Sequence, residues 1–182
     1  MFILFGIIVF VIILTLIIYY NYFVCGKNNV KSSLSTVDIM LKKRYDLIPN
    51  LVSTVKGYAK HEKDILTRVV ELRTKAMSQP TGSVENENTE NMLAGTLKSI
   101  FMLTENYPEL KANQNFLMLQ RSLNEIEEQI SASRRTYNAM VNSYNTSVES
   151  FPGNILAKQF GFRRWEFFKV NDNEKNSVKV KL

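Results

Sequence analysis

The chain has 182 residues, a net charge of +6, one cysteine and one histidine. A single cysteine excludes an intrachain disulfide framework, and a single histidine excludes both an H-E-x-x-H zinc helix and a di-iron bundle built on two Glu-x-x-His motifs. The length allows one domain, or one domain with an appendage, and the charge is uneven: every Lys, Arg, Asp and Glu lies from Lys27 onward.

The first element predicted is therefore apolar. "MFILFGIIVFVIILTLIIYY" is broken only by Gly6, Thr15 and the closing tyrosines. The 15 Ile, Leu, Val and Phe residues in 2–18 favour a bilayer by about 6 kcal/mol. A helix over 2–24 would be about 35 Å long, enough to cross a hydrocarbon core of roughly 30 Å. A cleaved signal peptide would need a basic start and a small-residue site, but no Lys or Arg precedes the run and the first alanine is Ala59. Residues 1–25 are thus expected to be a transmembrane anchor, with Tyr19, Tyr20 and Tyr22 as an aromatic belt. Lys27, Lys31, Lys42, Lys43 and Arg44 all follow the span, which by the positive-inside rule places the body in the cytoplasm. Those cations also suit an anionic leaflet.

Residues 26–33, "GKNNVKSS" in part, read as a juxtamembrane linker or as continuous helix. Val30, Leu34, Val37, Leu41, Tyr45, Ile48, Val52, Val55 and Ala59 then recur at alternating spacings of three and four, which predicts a helix with a coiled-coil-like period. The pattern continues less strictly to about Met77. "SQPTGSVENENTE" (78–90) reads as an exposed loop. A shorter helix is expected from about Asn91 to Glu105, then a turn at "NYPELKAN", with Asn113 as an N-cap. The last long helix carries Phe116, Leu119, Leu123, Ile126, Ile130, Ser133, Tyr137, Met140, Tyr144 and Ser147 on one face. "SFPGN" ends it, and a short "ILAKQF" turn leads to "GFRRWEFF". The expectation is an all-α protein: a single-pass helix, then an elongated antiparallel helical bundle over 34–170 with a short helical, aromatic C-terminal segment. Residues 171–182 read as a flexible tail.

At this point "KKRYDLIPNLVSTVKGYAKHE", "YPELKANQNF", "RRTYNAMVNSYNTSVESFP" and the closing "GF" are similar, in order and spacing, to the bacterial LemA family. The resemblance covers residues 35–168 with an anchor in the expected place. It implies a protein anchored in the bacterial inner membrane with a long antiparallel four-helix-type bundle on the cytoplasmic side, and it implies no activity. The chain departs in detail at "RRWEFFKV", where Trp165 stands in a stretch that is more polar in many relatives.

The residues themselves offer little chemistry. There is no G-x-S-x-G and no phosphate loop. His61 reads as an exposed helix residue, and Glu125, Glu127 and Glu128 as a solvated face. The basic residues are spread among acids and the aromatics fall at core positions, which argues against nucleic acid. No metal, cofactor or small-molecule substrate is expected. Two clusters remain as interaction candidates. Pro49 removes the N–H that would bond the Tyr45 carbonyl, so a kink is expected there, flanked by Arg44, Asp46 and Asn50. Arg134, Arg135, Tyr137 and Asn138 mark the point where the last seam turns polar. An Arg134 or Arg135 fork on Asp46, with an amide on the Tyr45 carbonyl, would fix helix register. The second cluster interleaves Phe160, Phe162 and Trp165 with Arg163 and Arg164. It suits a cap on the bundle, a contact to another copy, or a membrane interface. The expected role is a non-enzymatic scaffold that self-associates on the membrane; the alternative is an adaptor for another membrane protein, such as an envelope protease or sensor kinase.

Overall fold

A computed structural model describes residues 1–169, and every regular element among them is helical. The expected tail over 171–182 lies outside the described residues. In chain order the helices are α1 (Phe2–Tyr58), α2 (Lys63–Ser78), α3 (Val84–Met102), α4 (Pro108–Ala112), α5 (Gln114–Glu149) and α6 (Gly153–Phe160), with one 3-10 turn at Leu103–Glu105. They fall into two compact units: residues 1–37 with 133–167, and residues 38–132 with 168–169.

In the first unit, α1 begins with an apolar stretch long and apolar enough to cross a membrane. Its side chains are exposed almost throughout to Tyr22, and burial starts abruptly at Phe23 and resumes at Val30, Ser33 and Val37. Residues 26–33 are helical within α1. In the same unit Tyr137, Val141, Tyr144, Asn145 and Val148 of α5 are buried. A methyl group on Gly26 would come within 3.0 Å of Tyr144 Cδ2, so the two helices approach closely where α1 has no side chain.

In the second unit, α1 buries Leu41, Arg44, Tyr45, Ile48, Leu51, Val55 and Ala59. Helix α2 contributes Leu66, Val69, Leu72 and Ala76, α3 contributes Leu93, Leu97 and Ile100, and α5 contributes Phe116, Leu123, Ile126 and Ile130. Asn113 caps α5 as its side chain predicts: its Oδ1 accepts from the Phe116 N–H at 2.9 Å.

Two expectations need correction. The stretch 78–90 is a loop only as far as Ser83, whose hydroxyl accepts from the Asn86 N–H and starts α3 about seven residues early. Glu85 and Glu87 then stand in the first turn, where the helix dipole favours anions. Four polar residues of this helix start, Asn86, Glu87, Thr89 and Glu90, are buried, while Glu85 and Asn88 are exposed. The second concerns the α5 seam. A period of 3.5 carried through Met140 and Ser147 predicts the wrong late residues: Met140 is exposed, while Val141, Asn145 and Val148 are buried. A straight helix has 3.6 residues per turn, so over several heptads its buried face drifts by one residue.

Candidate interaction sites: a buried ion cluster and a strapped C-terminal segment

The Pro49 segment belongs to the second unit and has a different chemistry from the one its neighbours suggest. Pro49 lies inside α1 and is itself exposed, as are Asp46 and Asn50. Arg44 is 1 % exposed and is the largest fully buried side chain. Its guanidinium pairs with the carboxylate of Glu90 on α3 and, at 2.6 Å, with Glu127 on α5. Glu90 is also 1 % exposed and accepts a hydrogen bond from the Tyr45 hydroxyl. A buried charge is stable only when paired and hydrogen-bonded, and here one guanidinium and two carboxylates from three helices meet that requirement together.

The proline's own consequence is visible next to it. The Tyr45 carbonyl, deprived of the N–H at position 49, accepts from Arg73 Nε of α2 at 2.7 Å. A guanidinium thus fills the place where an amide was expected. The carboxylates meeting the kink segment's arginine are Glu90 and Glu127, and Asp46 faces solvent. Glu127 is therefore more than part of a solvated face, although its side chain is half exposed.

The same unit carries an open groove of about 1150 Å³ where α1 gives way to α2. Val52, Ala59, Leu66 and Val70 form its apolar floor, and Lys56, Lys60, His61, Lys63 and Lys75 rim it against a single acid, Glu71. Nearby, Tyr107 donates to Glu62 at 3.2 Å. Desolvation, then this hydrogen bond and the Glu62 charge, raise the Tyr107 phenol above its ordinary 10.0.

In the first unit the aromatic C-terminal segment is held by side chains acting as backbone. Asn145 receives the Trp165 N–H on its Oδ1 and donates its amide to the Trp165 carbonyl, both at 2.9 Å. Tyr137 donates its hydroxyl to the Glu166 carbonyl at 3.0 Å. Phe162 stacks on Phe23 and Tyr20, with ring centroids 5.2 and 5.8 Å apart, and Phe160 meets Tyr20 edge-on at 5.4 Å. Arg163 and Arg164 are exposed, Arg164 pairing with Glu149 at 3.4 Å. Of the remaining candidates, Arg134 and Asn138 are half-buried and Arg135 is exposed. Burial raises the Tyr144 phenol, which lies beside Gly26, above its ordinary value.

Sequence reasoning missed Arg73, Glu90, Glu127, Asn145 and Phe23. Glu90 sat in a stretch read as loop, although Ser83 followed by acids is a helix-start signal that could have placed it. Among the described residues no group of three His, Cys, Asp or Glu side chains is arranged to hold a metal ion.

The LemA family matches residues 33–182. The chain is 26% identical over 176 residues to Protein LemA of Metamycoplasma hominis, a match spanning 91% of this chain and 79% of that one. It is 25% identical over 182 residues to Magnetosome protein MamQ 2 of Paramagnetospirillum magneticum, spanning 86% of this chain and 67% of the relative. For Magnetosome protein MamQ of Magnetospirillum gryphiswaldense the figures are 23% over 181 residues, 86% and 66%, so the chain spans about two thirds of these relatives' length.

Proposed function

The chain belongs to the LemA family, and from that premise we propose that it is a non-enzymatic scaffold, anchored in the bacterial inner membrane by residues 1–25, whose cytoplasmic body self-associates. One observation carries the reading. A single helix, α1, begins with an exposed apolar span and passes without a break into a stripe of buried residues. The span supplies a membrane anchor and the stripe begins a helical body, with Lys27, Lys31, Lys42 and Lys43 assigning that body to the cytoplasmic side. The bonds from Arg44 and Tyr45 to α2, α3 and α5 support a four-helix bundle in which the buried ions fix register. None of the relatives' names gives a reaction. Confinement to a membrane raises the effective concentration of weak lateral contacts, so a modest surface suffices for assembly.

The groove beside His61 favours a second reading, an adaptor that takes an acidic segment of another membrane protein onto its lysine-rimmed, apolar floor. The mass of full-length particles extracted in mild detergent, with electron micrographs of the same sample, separates the two. Uniform particles many times the chain mass of 21.0 kDa are expected for the scaffold. A monomer with its detergent would overturn self-association and leave the adaptor.

A further inference from the structure

The first unit contains a short helix whose position is set by its contacts with the anchor. At its start, a methyl group on Gly153 would lie 3.4 Å from Phe23 Cζ. At its end, Phe160 stacks on Tyr20, and Phe162 just beyond it touches both Tyr20 and Phe23. Phe151, just before α6, lines a recess with Tyr19 and Tyr22. Both ends of α6 therefore meet α1 between positions 19 and 23, a rise of about 6 Å, whereas an eight-residue helix is about 12 Å long. It follows that α6 runs across α1 and not along it.

The level at which it crosses is equally specific. From residue 2, the rise to Tyr20 is about 27 Å, close to a hydrocarbon thickness of roughly 30 Å. Tyr19–Phe23 is thus where an anchor helix leaves the acyl chains, and a helix crossing it there lies in the plane of the membrane surface.

The residues on α6 suit that plane. Its inner side is Gly153, Ala157 and part of Leu156. Its outer side presents Phe151 at 80% exposure and Ile155 at 60%, four residues apart, with Phe160 at 40%. Lys158, Arg163 and Arg164 are exposed around them, and no Asp or Glu occurs between Glu149 and Glu166. The patch continues directly from the exposed apolar surface of the anchor. Apolar rings and an Ile beside Lys158 and Arg163, with Arg164 paired to Glu149, complement an anionic lipid surface: the rings enter the acyl boundary and the two cations meet phosphate. Of the three roles open to this segment in the sequence, the crossing geometry selects the last.

We propose that Phe151–Arg164 is an interfacial foot, seated on the leaflet at the base of the anchor and selective for anionic lipid. The proposal rests on the membrane-anchored reading above. It makes the anchor more than a tether, because a helix held crosswise at the interface fixes the depth of the span and inserts side chains into one leaflet only.

The test uses full-length protein with Cys25→Ser, in phosphatidylcholine vesicles with or without phosphatidylglycerol. A nitroxide is placed at Ile155→Cys, at Ile12→Cys within the span, or at Ser99→Cys on α3. Collision with oxygen is compared with collision with a water-soluble nickel chelate. Position 155 is expected to be oxygen-accessible and nickel-shielded in anionic vesicles, at a depth of about 5–10 Å. Shielding should fall in neutral vesicles and on Lys158→Gln with Arg163→Gln, while position 99 stays open to nickel throughout. Nickel access at 155 with a lipid-shielded position 12 would overturn the foot and leave the anchor intact. Nickel access at position 12 as well would overturn both. Equal shielding in neutral vesicles would remove the selectivity for anionic lipid. Spin–spin broadening at 155 that vanishes on dilution with unlabelled protein would overturn the proposal in favour of a second copy. A label at Phe151→Cys repeats the measurement should Ile155→Cys fail to fold.

Discussion

The two units solve the same problem, holding long helices in register, with different chemistry. The unit around Arg44 uses buried ions: one guanidinium, two carboxylates, a phenol and a second arginine on a freed carbonyl. The unit around Phe23 uses stacked rings, a glycine where α1 and α5 approach, and an asparagine that pairs with the Trp165 backbone. An ion pair is directional and costly to break, so it punishes a slipped register severely. Ring stacking and amide pairing carry no net charge, which suits packing beside an apolar anchor, where an unpaired charge is expensive.

The largest effect is expected where that comparison is sharpest. Glu90→Ala removes the buried carboxylate that pairs with the buried Arg44 and should destabilise the protein by about 3–5 kcal/mol in denaturant titrations. Replacing Arg44 and Glu90 together with Met and Leu should cost far less, and an equally large loss would show that the pair does more than satisfy itself. In the other unit, Asn145→Ala removes two bonds to the Trp165 backbone and should cost about 2 kcal/mol. Because Trp165 is the chain's one tryptophan, its emission should shift in this variant, and an unmoved spectrum would argue against the strap.

A smaller effect tests the proline. Arg73→Ala should cost about 1–2 kcal/mol by removing the Arg73 bond to the Tyr45 carbonyl, and clearly less in a Pro49→Ala background, where the restored N–H takes over. Strict additivity of the two changes would dissociate Arg73 from the proline's missing bond. The smallest effect concerns Tyr107 and Tyr144, whose phenols are raised in the folded protein. A raised folded value means that stability is fully present below the ordinary phenol value of 10.0 and is lost as pH rises through the raised ones. Alkaline titration at 295 nm should show these two tyrosines ionising above the ordinary phenol value of 10.0, and Glu62→Gln should bring Tyr107 down.

How much of this was legible in the sequence varies by residue. The anchor, the long α5 and the Asn113 cap were readable because each depends on neighbours within a turn or two. The loop assigned to 78–90 failed because polar composition was taken for exposure, when Glu90 and Asn86 are polar and buried. Met140 failed because an idealised period was carried too far along a helix that keeps its own.

The sequence by itself determined that this is a helical protein with one apolar span, a cationic flank and no catalytic or metal motif, since composition and periodicity are properties of the chain alone. Only the tertiary structure decided what the Pro49 segment is for. Arg44 finds Glu127 83 positions away and Tyr45 finds Glu90 45 positions away, and no local pattern says which carboxylate a buried arginine will meet. The same holds for α6: its residues read as a short turn in sequence, and only the tertiary structure brings Phe160 onto Tyr20 and Phe162 onto Phe23. Burial of charge and the angle between helices are set by non-local packing, which a one-dimensional pattern does not carry.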